Sequence, residues 1–132
     1  MTELHHRVHI ATALYAVATT VHFAHNALFL DQYPNMPAWF TPLGVLGALA
    51  TVHVLGVIGV VFALLRMNVL ALGFLGAYAA FGFDGLAHYA VAPFASHTFT
   101  MNATILIEVG SALVLFVLVA HSLLAKRAHW HR

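Results

Sequence analysis

Four long apolar runs, broken by very few charges, constrain this chain more than any other feature. They lie at about 8–30, 42–65, 69–92 and 101–125. A helix that crosses a bilayer needs about 20 mostly apolar residues, and each run reaches that length. Only 7% of the residues are charged, 62% are hydrophobic, and mean hydropathy is +0.91. Soluble domains carry about a quarter charged residues, so this chain lacks the polar groups to cover a water-facing surface. The expected fold is an all-α, four-transmembrane-helix antiparallel bundle, forming a single integral membrane domain over residues 1–132. The first run is too long for the apolar core of a signal peptide, about 7–15 residues, and is read as a span.

The basic residues orient the bundle. Arg7, Arg66, Lys126, Arg127 and Arg132 all fall on one side of a four-span chain, and Asp31 lies on the other. The positive-inside rule then puts both termini, N-in and C-in, with the second loop in the cytoplasm. The loop from Asp31 to Thr41 and the one after Pro93 face outward. Arg66-Met67-Asn68 is a tight turn that makes helices two and three antiparallel neighbours. Glycine pairs three residues apart (Gly44/Gly47, Gly56/Gly59, Gly73/Gly76 and Gly82/Gly85) suit close packing between those two helices. A bacterial inner membrane is the expected location, with the lipid bilayer as the first partner. A chain this small also suits a homo-oligomer or a place in a larger membrane complex. The net charge of +1 offers no basic face for nucleic acid, and the absence of cysteine removes disulfides and thiolate chemistry.

Histidine is abundant, with eleven residues. His5, His6, His9, His121, His129 and His131 lie near the cytoplasmic ends and suit interfacial side chains reaching for headgroups. The informative set is His22, His25, His53, Asp84, His88, His97 and Glu108. Ionisable groups inside a span cost at least about 2.5–3.5 kcal/mol each on insertion scales and mark function by default. Asp84 and Glu108 are two of four acids in the chain, and no Lys or Arg lies at their depth. At about 1.5 Å per helical residue, His22, His25, Asp84, His88 and Glu108 fall within roughly 6–13 Å of the outer surface, and His53 near roughly 17 Å.

The spacing strengthens this convergence. His22 and His25 are three apart, and Asn26 is four from His22. Asp84 and His88 are four apart, so each set shares a helix face. Facing helices that supply histidines and carboxylates are how bundles build metal centres. The expected ligands are therefore His22, His25, Asp84, His88, Glu108, His53 and His97, with Asn26 and Asn102 orienting them from behind. Imidazole and carboxylate together suit copper, iron or zinc. Asp84 or Glu108, where not ligated, is a candidate proton-transfer group.

The pattern Asp84-Gly-Leu-Ala-His88, followed by His97, resembles the Asp-x-x-x-His…His copper motif of the membrane C subunit of particulate methane monooxygenase. The resemblance covers residues 84–97 only, and the spacing to the last histidine is shorter here. It implies copper ahead of the other metals.

The leading functional expectation is an integral membrane metal-binding protein with its site in the outer half of the bundle. Its use would be as a metal-dependent oxidoreductase or hydrolase, or as a metal-handling factor. A second reading is a haem-binding electron-transfer protein, with His22/His88 or His53/His121 as axial pairs. A third is a small proton-coupled transporter or subunit of a larger complex. The nearly apolar cytoplasmic half favours a one-sided site over a through-path. Ser96 and Ser111 lack the context of a hydrolase nucleophile.

Overall fold

The computed structural model describes the backbone of residues 3–130 and the side chains of residues 6–125. The side chains of His5, His129 and His131, read above as interfacial, and of Lys126, Arg127 and Arg132, which orient the bundle in that reading, lie outside these limits. Among the described residues the chain is helical with no strand. The helices are α1 (Glu3–Leu28), α2 (Pro42–Leu64), α3 (Asn68–Phe81), α4 (Ala87–Val91) and α5 (Phe99–Trp130), with 3-10 turns at Leu30–Gln32, Gly82–Leu86 and Phe94–Ser96. Three segments are long and apolar enough to cross a membrane: Pro42–Leu64, Asn68–Val91 and Phe99–Ala125.

Local chemistry sets the ends. Thr41 caps α2 by accepting a hydrogen bond from the Gly44 amide at 3.1 Å, and Pro42 occupies the first turn, where its missing N–H costs nothing. At the other end, the Met67 amide donates to Phe62 O and the Arg66 amide to Ala63 O. These two bonds form a Schellman closure. Its left-handed position is held by Arg66, at φ 60°, where glycine is the usual residue.

α1 turns several of its polar residues inward. Thr12, Thr19, His22 and Asn26 are buried, while Ile10, Leu14, Val17, Val21 and Leu28 are exposed. Its sequence therefore looks less apolar than its outer face. α1 packs on α5 and α2, and α3 packs on α2 and α5. The apolar core joins Val8, Ala11 and Tyr15 of α1 to Val52 of α2, Leu72, Leu75, Tyr78 and Ala79 of α3, and Ala112, Leu115 and Val119 of α5.

The glycines divide between two contacts. Gly56 and Gly59 do lie between α2 and α3, where a methyl group would press on Tyr78 and Leu75. Gly82 and Gly85 instead face α1 and α5: a methyl at Gly82 would overlap Tyr15 and Ala112, and one at Gly85 would stand 3.2 Å from Glu108 Oε2. Gly47 and Gly73 meet nothing within 4 Å. The third span is also not one α-helix, because it tightens into a 3-10 segment at Gly82–Leu86.

Candidate functional site

Beyond Tyr15, the interior changes character. Glu108, on α5, is 1% exposed. Its Oε1 accepts a 2.5 Å hydrogen bond from the Thr19 hydroxyl of α1. Its Oε2 lies 3.6 Å from His22 Nε2, just beyond hydrogen-bond length. The Thr104 hydroxyl gives its proton to Met101 O, so it accepts from His22 Nδ1, 3.4 Å away. With Nδ1 donating, Nε2 turns its lone pair toward Oε2, which at this separation is left without a hydrogen bond.

Two more histidines adjoin the pair. The His88 ring stands edge-on to His22, centroids 5.4 Å apart, and to His97 at 6.1 Å. Asn26 Nδ2 donates to His88 Nε2 at 3.3 Å. His97 Nδ1 donates to Pro93 O at 3.1 Å. Asn102 fixes the loop that carries His97: its amide donates to Phe94 O and His97 O, and its Oδ1 accepts from Tyr89. Tyr33, from the α1–α2 loop, is buried against the His88 ring and meets His25 Nδ1 at 2.9 Å. Burial raises the Tyr33 hydroxyl to about 12.

Buried polar atoms are almost always hydrogen-bonded. Among the described residues five are not, and four belong to this cluster: Asn26 Oδ1, His88 Nδ1, His97 Nε2 and Glu108 Oε2. Leaving such a group unpaired costs about 1–3 kcal/mol, so the density of these atoms sets the cluster apart from the rest of the bundle.

A cavity of about 520 Å³ adjoins the cluster between α1, α2 and α4, under the loop residues Met36 to Thr41. His22, Asn26, Asp84 and His88 form its polar end. Phe23, Trp39, Phe40, Val45 and Val91 form apolar walls.

The expected ligands separate in the folded chain. His22, His88, His97 and Glu108 come together, with Asn26 among them and His25 one contact away through Tyr33. Asp84 is exposed and has no hydrogen-bond partner among the described residues; the 3-10 tightening between it and His88 breaks the α-helical stacking that their spacing suggests. It still faces the same cavity. His53 stands apart. Its Nε2 meets Thr20 at 2.9 Å and its Nδ1 meets Tyr78 at 3.1 Å, beside a second cavity lined by His9 and Thr12. His53 thus has both ring nitrogens engaged, and both nitrogens of His22 face protein groups. These are members of the two pairs considered for haem. Among the described residues, no three His, Asp or Glu side chains are grouped closely enough to hold one metal ion.

Sequence reasoning did not select Thr19, Thr104 or Tyr33. Thr19 lies three residues before His22 and Thr104 four before Glu108, but each serves the ionisable group of the other helix, Thr19 bonding to Glu108 and Thr104 to His22, so spacing within one helix does not reveal the pairing. No match to a protein-family model, a curated protein or a solved structure was found.

Proposed function

We propose that this is a four-span membrane protein whose polar end binds a small membrane-soluble molecule in the cavity beside the His22–Glu108 pair. The observation that carries the reading is the cavity. Its walls are apolar and aromatic, and its polar groups gather at one end against the buried His22–Glu108 pair. Ligand sites are typically apolar clefts of about 300–1,000 Å³ with a few convergent polar groups.

In this reading α1 is the fourth span. Its outward stripe of Ile10, Leu14, Val17 and Val21 meets lipid, and its polar residues are shielded inside. The polar residues lie late in α1 and early in α5. With the Lys and Arg residues at the opposite ends, this supports an antiparallel bundle with both termini in the cytoplasm and the site near the outer face. A bacterial inner membrane, and assembly into a homo-oligomer or larger complex, fit the same picture.

The test uses Trp39, which lines the cavity. In a Trp130→Phe background, 11-bromoundecanol titrated in nonionic detergent is expected to quench Trp39 saturably. Ala48→Phe, which fills the cavity, is expected to abolish the saturable phase. Quenching that is linear in probe and equal in both proteins would overturn the proposal.

A metal reading is kept for one observation: on adjacent rings, His97 Nε2 is a buried, unpartnered lone pair because Nδ1 donates to Pro93 O, and His88 has its lone pair on Nε2, held by Asn26. Two imidazoles suit copper, zinc or iron, with Asn26 and Asn102 holding the rings or their loop. Elemental analysis of the untagged protein, with an absorption spectrum for haem, decides it. About one metal per chain, lost in His97→Ala, supports the metal reading; metal-free protein without a Soret band rejects metal and haem together.

A further inference from the structure

Asp84 is the one Asp, Glu, Lys or Arg among the described residues that line the cavity. His22, Asn26, Thr41, Asp84 and His88 are the polar residues lining the cavity, and no Lys or Arg is among them. The Thr41 hydroxyl is already taken by the Gly44 amide, and His22 is matched by Glu108. Asp84 is left facing the cavity with no hydrogen-bond partner among the described residues. The same cavity is lined by Phe23, Trp39 and Phe40, with the Trp39 and Phe40 rings 4.4 Å apart. Aromatic faces attract cations, tryptophan most strongly, and more so when the cation is desolvated. A second acceptor points to the same chemistry. Asn26 is 7% exposed, lines the cavity, and its Oδ1 has no partner. A carboxylate, an unpaired carbonyl oxygen and aromatic faces together are what an ammonium head group needs.

We infer that the ligand of this cavity is an amphiphilic organic cation, an alkyl- or aryl-ammonium whose charge sits by Asp84 and whose apolar body lies along Trp39 and Phe40. This rests on the ligand-site reading above and specifies its substrate class. A neutral alcohol would satisfy Asn26 but would gain nothing from Asp84, so the two classes separate by experiment.

The experiment compares 11-bromoundecylammonium with 11-bromoundecanol, using Trp39 quenching in the full-length Trp130→Phe protein. The ammonium is expected to bind at least about tenfold more tightly than the alcohol, which corresponds to about 1.4 kcal/mol. Asp84→Asn is expected to reduce its affinity to that of the alcohol and to leave the alcohol unchanged. Asp84→Glu, which keeps the charge, is expected to retain most of the preference and guards against a folding artefact. Equal affinities in the parent protein, or a preference that survives Asp84→Asn, would overturn the cation assignment and leave the ligand site standing. No saturable quenching by either probe would overturn both.

Discussion

Around Tyr15, Leu75 and Leu115 the interior of the bundle is apolar and closed, each of these residues being at most 1% exposed. One to three helical turns farther along, the same helices enclose Thr19, His22, Asn26, His88 and Glu108, and four buried polar atoms there lack a partner. Gly82 and Gly85 mark the join. Gly82 lets α3 close on Tyr15 and Ala112, and Gly85 leaves room for the Glu108 carboxylate. The contrast separates two tasks. Close packing at the first end holds the helices together. The second end keeps unpaired groups that cost stability, as expected of a region shaped by what it binds.

Substitutions at the two ends should therefore differ in kind. The largest effect is expected from Leu75→Ala in the apolar end, a loss of about 2–5 kcal/mol, read by denaturant titration in mixed micelles. Gly82→Ala should cost about 1–3 kcal/mol by overpacking the join. Gly47→Ala, where a methyl meets nothing within 4 Å, should stay within about 0.5 kcal/mol. Equal losses at Gly82 and Gly47 would remove the join as a structural feature.

Tyr33 gives the polar end a pH signature. Its hydroxyl ionises near 10.0 when unfolded and at about 12 when buried. The folded state therefore favours the neutral form. Tyr33's contribution is complete below pH 10 and is lost as pH rises from 10 to 12. Tyr33→Phe should flatten that part of the stability profile relative to the parent, and an unchanged profile would mean Tyr33 is not held at the cluster. Arg66→Gly is expected to act in the opposite direction. Relieving the left-handed backbone should raise stability by up to about 1 kcal/mol, without altering probe binding at the far end.

Much of this division is legible in the sequence, because its signals are local. Apolar runs mark the helices, Thr41-Pro42 marks the start of α2, and isolated polar residues within apolar runs mark His22, His88 and Glu108 as inward-facing. What is not legible depends on neighbours distant in sequence. His53 reads as a member of the cluster by depth alone, but Tyr78 and Thr20 satisfy it on another face. The Asp84–His88 spacing assumes α-helical geometry, and the tightened turn at Gly82–Leu86 changes it. Tyr33 reads only as part of the outward loop from Asp31 to Thr41, yet that loop folds it onto His88.

The central claim is that the polar end serves binding and the apolar end serves stability. The double variant His22→Leu with Glu108→Leu tests it most directly, with unfolding and Trp39 quenching measured on one preparation. Replacing a buried ionic pair by apolar side chains is often neutral or stabilising. The account predicts a fold at least as stable as the parent, with saturable probe binding weakened at least about tenfold, about 1.4 kcal/mol. A marked loss of stability with binding unchanged would contradict it, and would make the His22–Glu108 network a structural clasp.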